Sequence, residues 1–215
     1  MTWLTEQIEI CVVLFVTKQR CSDCDTAKEF CLKAGFVQNE ITIHEVGIRG
    51  DGDEILEEAG KLNKSTNFPV VWVRGKLVGG LEEVRQAWFD GSLPKAKYDL
   101  ILEQAAREMV AHSATTNTLV VFSKKTCPPC TEVKIMLEEA GFTKEQTNVI
   151  TISDWPSMDH IQEHCRQITG ERWTPRVWIN GKAMGGLKDI KPMFENESLH
   201  ELAESLAGKS GPVKL

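Results

Sequence analysis

The sequence predicts an α/β protein made of two tandem domains, each a four-stranded mixed sheet flanked by helices. The main observation is an internal repeat, in which Cys21 and Cys24 recur as Cys127 and Cys130, a shift of 127 − 21 = 106 residues. The same shift, without a gap, relates further landmarks: Lys18 with Lys124, Gly35 with Gly141, Pro69 with Pro175, Trp72 with Trp178, and Gly79-Gly80-Leu81 with Gly185-Gly186-Leu187. A period about one small domain long indicates two copies of a folding unit rather than a solenoid.

Hydrophobic patterning predicts the same order of elements in both copies. In the first copy the predicted elements are strands at 11–16, 41–46 and 70–73, helices after the cysteine pair and at 54–62, and a last helix after the double glycine. In the second copy they are strands at 119–122, 149–152 and 177–179, helices after the cysteine pair and at 160–168, and again a last helix after the double glycine. Asn180-Gly181 is a strong hairpin signal, so each last strand should fold back on its neighbour. The order βαβαββα, with an early crossover and a late hairpin, implies a mixed sheet covered by helices.

The segment between the copies is predicted to be helical. Residues 95–112 are amphipathic, and this helix closes the first domain, opens the second, or does both. The polar segment 113–117 is the predicted link. We therefore expect the domains at 1–112 and 113–215.

Composition and charge exclude several classes of protein. A chain of 215 residues that is 41% hydrophobic can bury two modest cores. Its net charge of −6, with no long basic patch, argues against a nucleic-acid partner. Glu6 and Glu9 stand where a signal peptide would be positively charged, and the apolar run 11–16 is too short to cross a bilayer. We expect a cytoplasmic monomer with no membrane partner.

The two cysteine pairs are predicted to be redox-active. Seven cysteines, of which four form two Cys-x-x-Cys pairs, fit a reducing compartment better than a secreted disulfide framework. Cysteines three apart at a helix start lie about 5–6 Å from each other, a separation that a disulfide can bridge. The first of each pair, at the N-cap, faces unpaired N–H groups and the positive helix end, which favour the thiolate. Cys21 and Cys127 are thus the predicted nucleophiles, with Cys24 and Cys130 as resolving thiols.

The second pair is predicted to be the more acidic. Two prolines follow Cys127 and occupy the first helical turn, where a missing N–H costs the helix nothing. Because proline has no N–H, they also remove two possible hydrogen-bond donors from the Cys127 sulfur. Support for its thiolate then comes from the Cys130 N–H, the helix end and the charges of Lys124 and Lys125. The first copy keeps those amides but places two aspartates beside Cys21.

A structural zinc site is the main alternative for the cysteine pairs, and the sequence argues against it. Zinc folds usually bring their second pair within tens of residues, whereas these pairs are a domain apart. Cys31 and Cys165 are predicted to be small core residues. His160 and His164 have ligand-compatible spacing but no third ligand, so a solvated helix face explains them better. No metal site is predicted.

The second copy resembles a dithiol glutaredoxin across nearly its full length. Four linked motifs carry the resemblance: Thr126-Cys127-Pro128-x-Cys130, Thr169-Gly170-Glu171-Arg172, Thr174-Pro175-Arg176-Val177 and Gly185-Gly186-x-x-Asp189. The resemblance implies a thioredoxin-like fold and a cis peptide bond before Pro175. It also implies glutathione-dependent thiol–disulfide exchange on disulfide-bonded or glutathionylated proteins, with glutathione as the co-substrate.

The resemblance also implies roles for the residues that match. Lys124, assisted by Gln162 and Arg172, would face the thiolate and the glycyl carboxylate of glutathione. The main chain of Thr174, before Pro175, would pair with the cysteinyl backbone of the ligand. The remaining implied contacts are Asp189 with the γ-glutamyl ammonium, and amides near Gly186 and Lys188 with the adjacent carboxylate. Two residues depart from the family pattern, namely Trp173 before Thr174 and Pro129 between the cysteines.

The first copy resembles the family less closely. Three differences bear on ligand binding: Leu56 stands in place of Gln162, Thr66 in place of Arg172, and Glu82 in place of Lys188. The added negative charge of Glu82 opposes an anionic peptide. We therefore expect a redox-capable first domain with poor affinity for glutathione.

Three functions remain open at this point. The leading hypothesis is a glutathione-dependent oxidoreductase that acts mainly through Cys127 and Cys130. The second is a redox sensor or scaffold with little turnover. The third is carriage of an iron–sulfur cluster, for which Cys21 could supply a ligand. By the family resemblance, the proline after Cys127 makes the second copy a poor cluster carrier.

Overall fold

A computed structural model of the protein describes residues 2–46, 52–63 and 67–207. The chain divides into two compact units, Met1–Leu100 and Ile101–Leu215. The division confirms that there are two folding units. None of the helices within the described ranges is both long and apolar enough to cross a membrane.

The first unit has the predicted mixed sheet. Its elements are α1 (Trp3–Ile10), β1 (Val13–Thr17), α2 (Ser22–Lys33), β2 (Ile41–Glu45), α3 (Gly52–Asn63), β3 (Val70–Val73), β4 (Lys76–Gly79) and α4 (Leu81–Phe89). The strand order is β2-β1-β3-β4. Strand β1 runs parallel to β2 and antiparallel to β3, which forms a hairpin with β4. Helix α1, which the sequence did not predict, adds to the expected order βαβαββα.

The second unit repeats this plan. Its elements after the connecting helix α5 (Ser92–Thr116) are β5 (Leu119–Ser123), α6 (Pro128–Glu139), β6 (Thr147–Thr151), α7 (Met158–Thr169), β7 (Arg176–Ile179), β8 (Lys182–Gly185), α8 (Leu187–Glu195) and α9 (Ser198–Leu206). The strand order is β6-β5-β7-β8, with the same parallel and antiparallel pairings. Helix α9 was not predicted either.

Helix α5 corrects the predicted link between the domains. It runs without a break to Thr116, so most of the polar segment 113–117 is helical. The hydroxyls of Thr115 and Thr116 donate to carbonyl oxygens of the preceding turn, which satisfies these polar groups within the helix. The predicted domain limits of 1–112 and 113–215 remain a prediction.

The repeat explains the length of α5. Subtracting 106 from the bounds of α9 gives 198 − 106 = 92 and 206 − 106 = 100, and adding 106 to those of α1 gives 109 and 116. Helix α5 therefore contains the counterpart of α9 at its start and that of α1 at its end. Leu93 packs in a core of the first unit, whereas Ala106, Val110 and Ala114 pack in a core of the second. The helix thus contributes core residues to both units.

Each sheet is covered on both faces, which explains its apolar strands. In β5, Leu119 and Val121 pack with α6, α8 and α9, whereas the alternate residues Val120 and Phe122 pack with α5 and α7. Side chains of a strand alternate between faces, so a strand buried on both sides is continuously hydrophobic. The first unit shows the same two-sided packing. Each unit therefore has the predicted thioredoxin-like α/β architecture.

Candidate active site

The second cysteine pair lies at the start of α6. Cys127 is the N-cap, and its Sγ accepts a hydrogen bond from the Cys130 N–H at 3.2 Å. Pro128 and Pro129 occupy the first turn, where an N–H has no partner within the helix. The two cysteines form a disulfide with Cα atoms 5.2 Å apart, and Cys130 is buried while Cys127 is half-buried. Cys127, the less buried of the two, is therefore the cysteine that a substrate can reach first.

The first pair has the same geometry at the start of α2. Cys21 is the N-cap, and its Sγ accepts from the Cys24 N–H at 3.2 Å. These two cysteines also form a disulfide, again with Cα atoms 5.2 Å apart. The prediction that both pairs are bridgeable is confirmed.

A cis-proline segment faces the reactive sulfur of the second domain. The Thr174–Pro175 peptide bond is cis, as the resemblance implied, and the Phe68–Pro69 bond of the first domain is cis as well. The Sγ of Cys127 lies 3.8 Å from the carbonyl oxygen of Thr174 and 3.7 Å from its Oγ1. A substrate bound to Cys127 would therefore meet the main chain of Thr174.

Two cations and a buried amide lie together around Trp173. The Nζ of Lys124 donates to Oε1 of Gln162 at 3.3 Å, and Lys124 and Arg172 each lie 5.8 Å from the Trp173 ring centroid. Gln162 is only 2% exposed, yet its Nε2 has no hydrogen-bond partner among the described residues. The Nε of Arg172 is likewise buried and unpartnered, although its Nη2 binds Asp159 at 2.9 Å. A buried donor without an acceptor is unfavourable, so each of these two N–H groups would be stabilised by an acceptor oxygen.

The N-terminus of α8 is capped by a side chain of the same helix. Asp189 accepts from the Gly186 N–H through Oδ2 at 2.9 Å. This carboxylate occupies a helix N-terminus, where negative charge is favoured. The proposed ligand contacts of Gly186, Lys188 and Asp189 stay predictions, and in this state the Gly186 amide already has a protein partner.

An ion-pair network joins this helix start to the segment before Pro175, and the sequence analysis missed it. Arg176 is 3% exposed, and it donates from Nε to the Glu171 carbonyl at 2.9 Å and from Nη2 to Glu171 Oε2 at 2.7 Å. Lys188 pairs with the other carboxylate oxygen of Glu171. Hydrogen bonds from Lys188 and then Arg176 lower the pKa of Glu171. An arginine opening an otherwise apolar strand was the available signal, because a buried guanidinium needs a partner.

A cleft of about 540 Å³ adjoins the disulfide of the second domain. Its lining includes Pro129, Trp173, Thr174, Pro175 and Leu187. Trp173 is 68% exposed. The two residues that depart from the family pattern, Pro129 and Trp173, therefore both shape the surface beside Cys127.

Other predicted groups lie apart from this cleft. The Nζ of Lys125 pairs with Asp154 at 2.5 Å, and the support of its charge for the Cys127 thiolate stays a prediction. Cys31 and Cys165 are buried, and burial raises the pKa of each thiol to about 12. Within the described residues no group of three His, Cys, Asp or Glu side chains is arranged to hold a metal.

The first domain differs around its own cleft, as its sequence suggested. Leu56 packs against a hydrophobic core, and Glu82 forms an ion pair with Arg85. Lys18 lies 5.9 Å from the centroid of Phe68, which precedes the cis-proline. The cleft of about 370 Å³ is lined by Asp23, Asn63, Asn67, Phe68, Gly80, Leu81, Glu82 and Glu83. Thr66 lies outside the described residues.

Comparison with known proteins identifies the family. A family model described as Glutaredoxin matches residues 119–184, from β5 into β8. Glutaredoxin-1 of Oryctolagus cuniculus is 32% identical over 94 residues, which cover 44% of this chain and 89% of that protein. The chain belongs to the glutaredoxin family. Glutaredoxin-1 of Rattus norvegicus gives the same identity, with 44% of this chain and 88% of the relative covered.

Solved glutaredoxin structures show the same pattern of coverage. Oxidized glutaredoxin 2 from Chlamydomonas reinhardtii is 30% identical, covers 48% of this chain and 94% of its own, and has a TM-score of 0.45. A buckwheat glutaredoxin in complex with glutathione is 28% identical, covers 48% and 92%, and has a TM-score of 0.45. Because the curated glutaredoxins align over nearly their whole length with less than half of this chain, one copy of the repeat corresponds to one glutaredoxin. Family membership supports a thiol–disulfide oxidoreductase.

Proposed function

We propose that the protein is a glutathione-dependent thiol–disulfide oxidoreductase that acts mainly through its second domain. The observation that carries this proposal is the pair of buried, unpartnered donors, Gln162 Nε2 and Arg172 Nε, beside the Lys124 ammonium. Donors of this kind suit a carboxylate, which accepts several hydrogen bonds at once. The carboxylate would be the glycyl end of glutathione, with its sulfur directed to Cys127.

The reaction follows from the position of the two sulfurs. The Cys127 thiolate attacks the glutathione sulfur of a mixed disulfide, the substrate's S–S bond breaks, and the substrate leaves as a thiolate that takes up a proton. A second glutathione thiolate then attacks and releases oxidised glutathione, which returns Cys127 to its thiolate. Alternatively Cys130 displaces the bound glutathione and forms the disulfide that the structure contains. Two glutathione molecules reduce that disulfide again.

Protein disulfides would be reduced by the dithiol route. Cys127 attacks one sulfur of the protein disulfide, the other sulfur leaves as a thiolate, and Cys130 resolves the mixed disulfide. The buried position of Cys130 suits this role, because it meets only a sulfur already attached to Cys127. The partners are therefore glutathione and disulfide-bonded or glutathionylated proteins. Both dithiols need a reducing compartment to be regenerated, so we place the protein in the cytoplasm.

The first domain is proposed to exchange disulfides with little use of glutathione. Leu56 supplies no hydrogen bond where the second domain has Gln162, and Glu82 replaces the cation Lys188. Its cleft is lined by three carboxylates, those of Asp23, Glu82 and Glu83, which disfavour an anionic peptide.

Serine variants of the two nucleophiles test the division of labour. We would measure glutathione-coupled reduction of a glutathionylated peptide by the full chain with Cys127→Ser or Cys21→Ser. We expect Cys127→Ser to abolish turnover and Cys21→Ser to retain most of it. The matched variant Cys130→Ser should keep activity on the glutathionylated peptide but lose it on a protein disulfide. Full activity in Cys127→Ser would refute the proposal.

A further inference from the structure

A buried arginine opens the strand that follows the cis-proline of the second domain. Arg176 is 3% exposed and begins β7, whose other members are Val177, Trp178 and Ile179. A charge in such a place is unfavourable unless it is paired. Its partner is Glu171, and the proposed chemistry uses neither residue.

The arginine connects two separate segments. On one side it donates to both the main-chain carbonyl and the carboxylate of Glu171, in the segment that leads to Pro175. On the other side it lies against the glycine that caps α8, since a Cβ built on Gly186 would lie 2.1 Å from Arg176 Nη1. Glu171 extends the connection, because its second carboxylate oxygen pairs with Lys188 in the first turn of α8.

Residues of both segments line the cleft. The segment before Pro175 places Thr174 within 3.8 Å of the Cys127 sulfur. The start of α8 contributes Leu187 and Lys188 to the cleft lining. The Arg176 guanidinium is bound to one segment through its fixed, planar donors and lies against the other, so it sets the separation between them.

The described part of the first domain lacks this connection. Position 176 − 106 = 70 is Val70, which is buried and has no side-chain donor. At the position of Lys188 stands Glu82, which pairs with Arg85 on its own helix. The network therefore occurs in the domain for which we propose glutathione binding and not in the described part of the other.

We propose that Arg176 and Glu171 are positioning residues for the second-domain cleft. They hold Thr174 and the start of α8 at the separation that a bound glutathionyl group requires, an inference that rests on the proposed function. Neither residue contacts the reacting sulfur. Loosening the pair should therefore weaken binding of the substrate and leave the exchange step at Cys127 unchanged.

Arginine variants of the full-length chain test the proposal by separating KM from kcat. We expect Arg176→Met to raise KM for a glutathionylated peptide about five- to tenfold while kcat stays within twofold. Arg176→Lys keeps the charge and one donor, so it should recover part of the loss. The matched control is Arg166→Met, which removes an exposed arginine that pairs with Glu163 on α7 and should change neither constant.

If Arg176 only stabilised the fold, its loss would lower kcat rather than raise KM. If Arg176→Met only unfolded some of the molecules, kcat would fall with KM unchanged, and that result would overturn the proposal, as would no change in either constant. Glu171→Gln should also raise KM. A lower KM would instead show that Glu171 withholds Lys188 from the ligand, and it too would overturn the positioning role.

The wild-type chain shows separately whether the underlying function holds. It should reduce the glutathionylated peptide at least tenfold faster than the same peptide in a mixed disulfide with 2-mercaptoethanol. Equal rates would refute glutathione dependence and, with it, this inference. A clear preference together with unchanged KM in Arg176→Met would refute the positioning role alone.

Discussion

Replacing Gly186 by alanine should destabilise the second domain through one close contact. The added Cβ would lie 2.1 Å from Arg176 Nη1 and 2.9 Å from the Pro175 carbonyl oxygen. Both distances are much shorter than an ordinary van der Waals contact of 3.4–4 Å. The backbone itself tolerates alanine, because φ is −123° and ψ is −158°. The carbonyl belongs to the main chain, and the guanidinium is held by Glu171, so neither can withdraw freely.

The expected cost follows from those two contacts. Overpacking costs about 1–3 kcal/mol, and displacing Arg176 would also break a charge-assisted hydrogen bond worth about 1.5–3 kcal/mol. We therefore expect Gly186→Ala to lower the free energy of unfolding of the second domain by about 3–5 kcal/mol. The equivalent Gly80→Ala is a matched control, because its Cβ would meet Glu83 Oε2 at 3.3 Å and the Pro69 carbonyl at 3.5 Å. It should change the stability of the first domain by less than about 1 kcal/mol.

Hydrogen exchange followed by mass spectrometry measures the two domains separately in the full chain. Peptides from β7 report on the second domain and peptides from β3 on the first. At about 1.4 kcal/mol per tenfold, exchange in β7 should be at least a hundredfold faster in Gly186→Ala. If β7 exchange changed less than about twofold, or if Gly80→Ala had an equal effect on β3, the packing argument would be wrong.

Three further predictions concern other parts of the molecule. Gln162→Leu, which installs the residue of the first domain, should raise KM for a glutathionylated peptide by about tenfold or more, because a hydrogen bond to a charged group is worth about 1.5–3 kcal/mol. Thermal unfolding should show only a small loss of stability, because Nε2 is unpartnered and the one hydrogen bond removed is the 3.3 Å bond that Oε1 accepts from Lys124. Cys31 and Cys165, whose thiol pKa values are raised to about 12, should resist iodoacetamide at pH 8 in the native protein and react after denaturation, whereas labelling of either in the native state would contradict their burial. Lys97→Met should destabilise the first domain at neutral pH, because Lys97 binds Glu40 at 2.7 and 2.8 Å in a largely buried pair. Burial alone would raise the pKa of Glu40, but hydrogen bonds from Lys97 and Val37 bring it below its ordinary value of 4.5, so the stability difference should be present above pH 4.5 and disappear on acidification below it in urea titrations.

Much of the fold was predictable because both copies carry strong local signals. The strand at 70–73 matches β3 at both ends, since its apolar residues lie between a proline and a turn. The strand predicted at 177–179 is β7, which begins one residue earlier, because Arg176 was not recognised as a buried strand residue. Helix α1 was missed because its eight residues are half-exposed and bury only Leu4 deeply.

The predicted end of the connecting helix at residue 112 was the clearest error, and its cause is physical. Ser113, Thr115 and Thr116 have low helix propensity and resemble a turn in the sequence. In the structure Ser113 is buried and Ala114 packs in the core, so tertiary contacts outweigh the local preference. The repeat could not reveal this helix either, because its counterpart α1 was itself missed in the sequence.

The active site was predictable in its sulfur chemistry but not in its supporting contacts. The N-cap position of Cys127 follows from a proline-rich first turn, and the cis bond before Pro175 followed from the resemblance. The partner of Arg176 could not be found from the sequence, because Glu171 lies five residues away along an irregular segment rather than at a helical spacing. The unpartnered Nε2 of Gln162 likewise depends on three-dimensional packing.

The shared helix α5 limits how the protein can be cut in two. Residues 101–108 lie between the counterparts of α9 and α1 and belong to neither, yet Ala106 is 1% exposed and packs beneath the second sheet. A fragment that began at residue 113 would lack Ala106 and Val110 and would expose the apolar surface that they cover. Proteases should also cleave poorly at the junction, because a continuous helix offers no extended segment for a protease to bind there. A recombinant second half should therefore begin no later than residue 101.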